Sequence, residues 1–113
     1  MAKDRIAKTE TIILVEGQGD VWRLWEAGIK NAVGIFGCHL TDYQQISIDR
    51  SGALNIIVLT DNDEPGRKAA DSIKEKCGRL FNLHFPKLDK KDVGDMSVVE
   101  INENLKPQID GMV

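Results

Sequence analysis

Four short apolar segments recur along the chain, and the stretches between them space their apolar residues differently. The segments are residues 11–15, 32–36, 55–59 and 80–85, each rich in Ile, Val, Leu or Phe. The third begins with NIIVLT at Asn55 and is continuously apolar rather than alternating. Such a run is typical of a parallel strand covered on both faces. We therefore predict four parallel β-strands.

The stretches between the predicted strands carry apolar residues three or four positions apart, as amphipathic helices do. The spacing is set by Val21, Leu24, Trp25 and Ile29 after the first strand, by Tyr43, Ile46 and Ile48 after the second, and by Ala69, Ala70 and Ile73 after the third. Strands that alternate with helices through short connections form a parallel sheet with helices on both faces. The predicted fold class is therefore α/β, compact and Rossmann-like.

The C-terminal part of the chain predicts one more helix. The sequence SVVE from Ser97 is a candidate capping box, and the helix is expected to run to about Asn104, with Pro107 beyond it. The predicted organisation is a polar lead-in over residues 1–10, one domain over residues 11–105, and a short tail over residues 106–113.

Size and composition indicate one ordinary globular domain. The 113 residues are 42% hydrophobic and 29% charged, without a repeated or biased segment. A net charge of −3 argues against a uniformly basic, nucleic-acid-coating surface, although a local basic stripe remains compatible with it. Cys38 and Cys77 lack metal-ligand spacing, and no apolar stretch is long enough for a signal peptide or a membrane span. We expect a cytoplasmic protein with reduced thiols and no membrane partner.

Acidic residues directly follow two of the predicted strands. Glu16 comes after the first strand, and Asp61 and Asp63 come after the third, in VLTDNDEPGR. Parallel α/β sheets bind ligands at the carboxyl ends of their strands, where loops from different strands meet. If the first and third strands are neighbours, these three carboxylates converge on one patch.

Converged carboxylates require a cation. Two such groups repel by about 4 kcal/mol at close range in an intermediate dielectric. Oxygen ligands without His or Cys favour Mg²⁺, Mn²⁺ or Ca²⁺ over Zn²⁺. In the D-x-D spacing, Asp61 and Asp63 point the same way from an extended segment and can share a metal. Glu16 is suited to either ligation or proton transfer, and Gly17 after it permits close approach of backbone or substrate.

Simpler interpretations remain open for each of these acids. The segment DNDEPG also has the composition of a solvated turn. Glu16 and Asp20 could cap and begin the following helix, because acids are favoured at a helix N-terminus. Capping accounts well for Asp20 but less well for Glu16, which ends a buried apolar strand. The occurrence of both motifs at equivalent strand ends favours a functional site.

Two segments together resemble a known domain family. ILVEGQGDVWRLWEAGIKNAVGIFG and IIVLTDNDEPGRKAA resemble the TOPRIM domain of bacterial-type primases, phage and mitochondrial primase-helicases, topoisomerases and certain nucleases. The resemblance covers about residues 11–105 and is strongest to the primases. It includes an E-G-x-x-D segment, Glu16 to Asp20, in which Gly17 and Asp20 are expected to support the site. It implies the TOPRIM fold, acid/base work for Glu16, and Mg²⁺ (or Mn²⁺) binding by Asp61 and Asp63. Asp92 and Asp95, in KKDVGDMS, resemble the further acidic pair that adds to the metal site.

The resemblance also implies nucleic-acid partners. A primase-like domain would act on DNA or RNA with nucleoside triphosphates. Arg67, Lys90 and Lys91 lie close in sequence to the acidic motifs and could hold phosphates there. A solvated charged face explains these three cations equally well.

The chain also departs from complete primases. It shows neither zinc-ribbon cysteines nor room for a basic polymerase subdomain, so we expect primer synthesis to need a separate polymerase-half or helicase chain, an arrangement that suits phage or mobile-element replication. A small nuclease cutting DNA or RNA, and a catalytically silent docking module, are the alternatives. Topoisomerases with a TOPRIM domain need a nucleophilic tyrosine from a separate domain. The only tyrosine here, Tyr43, falls in a predicted helix where packing is its expected role, so topoisomerase activity is disfavoured.

Trp22 and Trp25 could form a stacking pair for bases. Their spacing of three on one predicted helix fits burial in the core better, however, so we predict that both are buried.

Overall fold

The protein is a four-stranded parallel sheet flanked by helices. The computed structural model describes residues 2–37, 39–88 and 90–112, so Cys38 lies outside the described residues. The strands are β1 (Thr11–Val15), β2 (Ala32–Gly34), β3 (Asn55–Val58) and β4 (Asn82–His84), in the order β2-β1-β3-β4. All neighbouring pairs are parallel. The predicted α/β class and the four parallel strands are confirmed, with β1 at its predicted bounds and the other three shorter.

Helices fill the connections between the strands. They are α1 (Ala2–Thr9), α2 (Gln18–Glu26), α3 (Asp42–Asp49), α4 (Glu64–Cys77), α5 (Val98–Glu100) and α6 (Lys106–Met112). A 3₁₀ turn spans Val93–Asp95, and a π-helical stretch, Ile101–Leu105, joins α5 to α6. Within the described ranges, none of these helices combines the length and apolarity that crossing a membrane requires.

The sheet buries apolar side chains on both faces, which explains why β1 is apolar throughout. One face packs Ile13 and Val15 against α2 and the C-terminal helices, through Leu24 and Leu105 among others. The opposite face packs its side chains, including Leu14, against α1, α3 and α4. All five residues of β1 are buried. The strand therefore has no face on which a charged residue could reach water before its carboxyl end.

The strand order places a crevice at the carboxyl end of β1. The chain passes from β1 to β2 on one side and then returns to β3 on the other side of β1. Ile13 pairs with Ala32 of β2 and with Ile57 of β3, so β1 is central between them. Open α/β sheets bind ligands at such a reversal of strand order. The predicted adjacency of the first and third strands is thus confirmed.

Both ends of the chain contain helices that the sequence pattern did not predict. Residues 2–9 form α1, and Ile6 from this helix is only 4% exposed and belongs to the core. At the other end, Ile109 of α6 is buried in the core on the opposite face of the sheet. Residues 106–112 are therefore a packed helix rather than an open tail.

The predicted end of the last helix at about Asn104 is wrong, although its start is correct. Ser97 and Glu100 form the predicted capping box, with each side chain accepting the other residue's backbone N–H at 3.1 Å. Helical structure then continues through the π-helical stretch, which places Pro107 in the first turn of α6. Pro107 has no N–H to donate within this continuous helix, and it directly follows the π-helical stretch, where the regular α-helical hydrogen bonding is already interrupted. The Gln108 side chain also donates to the Asn104 carbonyl, at 2.9 Å.

The predicted burial of the two tryptophans is wrong. Trp22 is 64% exposed and Trp25 is 39% exposed. The face of α2 that meets the core carries Leu24, which is fully buried, together with Asp20, which is 8% exposed. A spacing of three puts two residues on one side of a helix but does not decide which side is covered. Here the covered side is the one opposite the tryptophans.

Candidate metal centre

Two groups of carboxylates share one residue at the carboxyl ends of β1 and β3. Glu16, Asp61 and Asp63 each place one carboxylate oxygen within 4.8 Å of the others. Asp20, Asp61 and Asp92 form a second group of the same kind. We call these the Glu16 cluster and the Asp20 cluster. The three acids predicted to converge do so, and two further acids meet them through Asp61.

Glu16 connects the loops that follow β1 and β3. It is the first residue after fully buried β1 and is itself only half-buried. Its Oε1 accepts the backbone N–H of Asp61 at 2.8 Å. This bond holds the glutamate toward the β3 side of the crevice. Glu16, at the carboxyl end of the apolar strand β1, is thus hydrogen-bonded to a backbone N–H that lies 45 residues away in sequence.

Asp63 is both a helix cap and a member of the Glu16 cluster. Its Oδ1 accepts the backbone N–H of Gly66 at 2.8 Å, which caps α4. Its Oδ2 lies 3.8 Å from the Lys91 ammonium. The turn interpretation of DNDEPG is therefore correct for Asp63 but incomplete, because the same carboxylate also meets Glu16 and Asp61.

Gly66 allows α4 to begin directly against the Asp61 backbone. A Cβ on Gly66 would overlap the carbonyl oxygen of Asp61 and would lie 2.6 Å from its carbonyl carbon. No side chain fits there unless α4 or the loop moves. The glycine of D-x-D-x-x-G is therefore part of how the Glu16 cluster is positioned.

Asp20 and Asp92 are held by the segment around the 3₁₀ turn. Asp20 accepts backbone N–H groups from Gly94 at 2.8 Å and from Gly17 at 3.2 Å. Asp92 accepts the N–H of Asp95 at 2.8 Å. Gly94 lies 74 residues from Asp20 in sequence, so this contact closes the site between two distant parts of the chain.

Asp61 differs from the four other carboxylates in the two clusters. Each of those four has at least one oxygen fixed by a backbone N–H, and Asp20 has both. The Asp61 Oδ1 is buried and has no hydrogen-bond partner within the described part of the chain. A buried carboxylate oxygen without a partner is costly unless a cation binds it. The arrangement of all-oxygen ligands around Asp61 fits a hard divalent cation such as Mg²⁺ or Mn²⁺.

The crowding of carboxylates shifts the pKa values of the two acids nearest the centre. Burial, followed by the charges of Glu16 and Asp20, raises the pKa of Asp61 from 3.8 to about 7. Burial also raises the pKa of Asp20, although its hydrogen bonds from Gly94 and Gly17 oppose the rise. Both shifts show that the charged forms are disfavoured where no cation neutralises them.

A pH dependence of stability follows for the metal-free protein. The folded pKa of Asp61, about 7, lies above its ordinary 3.8, so the folded state binds more protons between these values. This contribution to stability is present below about pH 4 and is lost as the pH rises to about 7. In chelator, we expect the parent to lose more stability across this window than Asp61→Asn does. Denaturant unfolding at pH 5 and pH 7 measures the difference, and equal losses would contradict it.

Of the remaining residues singled out in the sequence, Lys91 contacts a cluster carboxylate through its side chain, and Gly17 and Asp95 do so through their backbone N–H groups. Asp95 is exposed and belongs to neither cluster, although its charge contributes to the raised pKa of Asp20. Arg67 pairs with Glu64 at 3.3 Å, and Lys90 lies 3.8 Å from Glu100, so both face surface acids. Lys91 alone among these three cations contacts a cluster carboxylate. Gly17 contributes its N–H to Asp20 rather than a close approach of backbone.

The sequence predicts Asp20 as a helix cap and as a supporting residue of the site, but not as a metal ligand. Its carboxylate does accept the Gly17 N–H. Its position in the first turn of α2, on the same face as buried Leu24, was the available signal that it points toward the sheet. Asp92 was predicted at the site, but its meeting with Asp20 depends on the Gly94 turn, which no local pattern reveals.

The fold and the carboxylate centre agree with a family match. Residues 10–84 match the family model of the Toprim domain, and the chain belongs to this family. Among curated relatives, the DNA primase of Campylobacter jejuni is 43% identical over 70 residues, covering 62% of this chain and 11% of the relative. The DNA primase of Enterococcus faecalis is 31% identical over 106 residues, covering 94% and 15% respectively.

Solved primase structures share the fold. A DnaG primase catalytic domain bound to single-stranded DNA aligns with a TM-score of 0.77 and 27% identity, over 97% of this chain and 36% of that one. The Aquifex aeolicus primase aligns with a TM-score of 0.73 and 27% identity, over 98% and 27%. This chain therefore spans only a fraction of the length of the primases that it matches.

Proposed function

We propose that this chain is a Mg²⁺-dependent TOPRIM domain that acts in nucleic-acid phosphodiester chemistry, as the metal-binding half of a DNA primase. One observation carries the proposal: four carboxylates converge on Asp61, whose buried Oδ1 lacks a partner in the described structure. Membership of the Toprim family and similarity to DNA primases support it.

Both carboxylate clusters are proposed to supply metal ligands. In the Glu16 cluster, Asp61 and Asp63 would bind Mg²⁺ (or Mn²⁺), and in the Asp20 cluster, Asp20 and Asp92 would add further ligands. A bound divalent cation supplies charge neutralisation to the phosphate and to the attacking and leaving oxygens. Asp95 lies outside both clusters and would act only through its charge.

Glu16 is proposed to transfer a proton to or from a substrate oxygen. Its Oε1 is fixed by the Asp61 N–H, so its carboxylate is held at the edge of the site rather than free in solvent. A positioned general acid or base contributes about 10²–10⁴-fold to a reaction. Lys91, beside Asp63, would contact a substrate phosphate next to the carboxylates.

The proposed partners follow from the primase relatives. The substrates would be nucleoside triphosphates and a single-stranded DNA template, and a polymerase-half or helicase chain would supply the rest of the reaction. A cytoplasmic replication setting suits this proposal. These partners rest on similarity, because the chain matches only 15% of the length of the Enterococcus faecalis primase.

One assay separates the proposed function from its alternatives. The purified chain is incubated with labelled single-stranded and duplex DNA and RNA, with Mg²⁺ or Mn²⁺, with and without nucleotides, and then together with the polymerase half of a related primase. Metal-dependent nucleotide incorporation that requires both the chain and its Asp61 supports the proposal. Strand cleavage without nucleotides would identify a nuclease instead. Neither reaction, with firm binding to the polymerase half, would identify a docking module.

A further inference from the structure

Both tryptophans of the chain lie on the solvent side of α2. Trp22 is 64% exposed and Trp25 is 39% exposed, one helical turn apart. Residues three apart on a helix are surface neighbours, about 5–6 Å between Cβ atoms. Two large, flat rings are therefore presented together on a short helix that a smaller or polar residue would suit equally well. The packing of the domain accounts for little of Trp22 and for only part of Trp25.

One cation accompanies the two rings. The Lys30 ammonium lies 5.1 Å from the centroid of the Trp25 ring, in a cation–π contact. Glu26, four residues after Trp22, is on the same side of the helix and carries one negative charge. Aromatic rings with an adjacent cation suit single-stranded nucleic acid, because its bases stack on the rings and its phosphates bind the positive charge.

The same helix reaches the carboxylate centre. Asp20 lies two residues before Trp22 and turns inward to the Asp20 cluster. At a rise of about 1.5 Å per residue, Trp22 and Trp25 are roughly 3 Å and 7.5 Å farther along the helix axis than Asp20, and they lie on the other side of a helix about 10 Å across. Gln18 and Gly19, in the first turn, are exposed, and Gly19 has no neighbouring atom within 4 Å of its Cβ position. A strand engaged at the metal centre can pass over this turn to the tryptophans.

We propose that Trp22 and Trp25, with Lys30, form a stacking platform on which bases of a single-stranded nucleic acid rest beside the metal centre. This inference rests on the proposed function, because the strand is the substrate or template of the same site. Exposed tryptophans are also common where a protein partner binds. The Lys30 ammonium over the Trp25 ring, and the helix shared with Asp20 of the carboxylate centre, favour the nucleic acid.

Tryptophan emission provides a direct test, because the platform contains every tryptophan of the chain. The parent is titrated with single-stranded DNA and RNA oligonucleotides of about 12 nucleotides, and with duplex DNA of the same length. Anisotropy of a labelled oligonucleotide is recorded in parallel. We expect single strands to bind and to quench the emission, and duplex DNA to quench it less.

Substitutions identify the rings responsible. Trp22→Ala and Trp25→Ala should each weaken single-strand binding by roughly fivefold or more, and Trp25→Phe should retain part of the affinity because it keeps a ring. Tyr43→Ala is the matched control, since Tyr43 is an 80% exposed aromatic on α3, on the opposite face of the sheet. It should change the affinity by less than about twofold. Because all three native side chains are exposed, thermal unfolding should show intact folds.

The outcomes separate this inference from the proposed function. Binding without quenching, and without loss in the tryptophan variants, would place the strand elsewhere and overturn the platform. Failure to bind any oligonucleotide would also overturn the platform, and a protein partner would then be the alternative occupant of this face. If Mg²⁺ stabilises the fold in either case, the metal centre survives the failure of the platform. Quenching that Trp22→Ala and Trp25→Ala reduce, together with no response to Mg²⁺, would support the platform and contradict the metal centre.

Discussion

Glu16→Gln is expected to lower metal-dependent phosphodiester turnover by about a hundredfold or more. The amide keeps the length of the side chain, and its oxygen can still accept the Asp61 N–H that now bonds to Oε1 at 2.8 Å. What it loses is the negative charge and the ability to carry a proton. The reaction found in the labelled-substrate assay, measured at saturating Mg²⁺, gives the ratio.

Two controls make the Glu16 result specific. Glu75→Gln removes an exposed acid of α4 that lies outside both clusters, and it should leave turnover within about twofold of the parent. The thermal midpoint of Glu16→Gln in chelator should be no lower than that of the parent, because one charge facing Asp61 is gone. Unchanged turnover in Glu16→Gln would remove this residue from the mechanism.

Gly66→Ala is expected to destabilise the fold by about 2 kcal/mol or more, which lowers the melting temperature by about 8 °C. The new methyl group would overlap the Asp61 carbonyl oxygen, and the obstacle is backbone rather than a flexible side chain. Either α4 or the loop after β3 must shift. Because this loop carries Asp61, the same substitution should also weaken the response of the melting temperature to Mg²⁺.

Gly19→Ala is the matched control for Gly66→Ala. Gly19 is also near the start of a helix, but a Cβ there would meet nothing within 4 Å. Alanine is favoured over glycine in a helix by up to about 1 kcal/mol, so Gly19→Ala should be neutral or stabilising. Two glycine substitutions of opposite sign would separate the close approach at Gly66 from helix propensity. A Gly66→Ala protein as stable as the parent would show that α4 is free to move.

The central part of the fold was predictable because burial leaves a clear pattern in sequence. β1 is covered on both faces, so its five apolar residues coincide with the strand. β2 and β4 are the edge strands, and each is only three residues long. Ile35, just after β2, packs in the core and donates its N–H to the Val15 carbonyl at 2.8 Å, although it lies beyond the end of the strand. The apolar runs therefore overstate the length of the edge strands.

The candidate site was predictable as far as strand ends define it. Glu16, Asp61 and Asp63 each follow a strand, and the neighbouring positions of β1 and β3 bring them together. The role of Asp20 depends on Gly94, which is 74 residues away. Helical periodicity failed for Trp22 and Trp25 because it groups residues on a face without saying which face is covered.

The central claim is that the carboxylates around Asp61 form a cation site, and thermal unfolding in chelator and in Mg²⁺ tests it most directly. In chelator, Asp61→Asn and Asp63→Asn should both melt above the parent, because each removes repulsion within the Glu16 cluster. Asp61→Asn is the cleaner variant, since the charge of Asp63 also faces Lys91. Asparagine caps a helix as well as aspartate does, so the start of α4 should persist in Asp63→Asn.

Added Mg²⁺ should reverse this order. At about 100 times its Kd, a ligand that binds only the folded state stabilises it by about 2.7 kcal/mol, so the parent should rise well above its midpoint in chelator. Asp61→Asn and Asp63→Asn should rise much less, because each has lost a proposed ligand. Variants that melt below the parent in chelator and respond to Mg²⁺ as the parent does would contradict the cation site, and these acids would then be caps and turn residues.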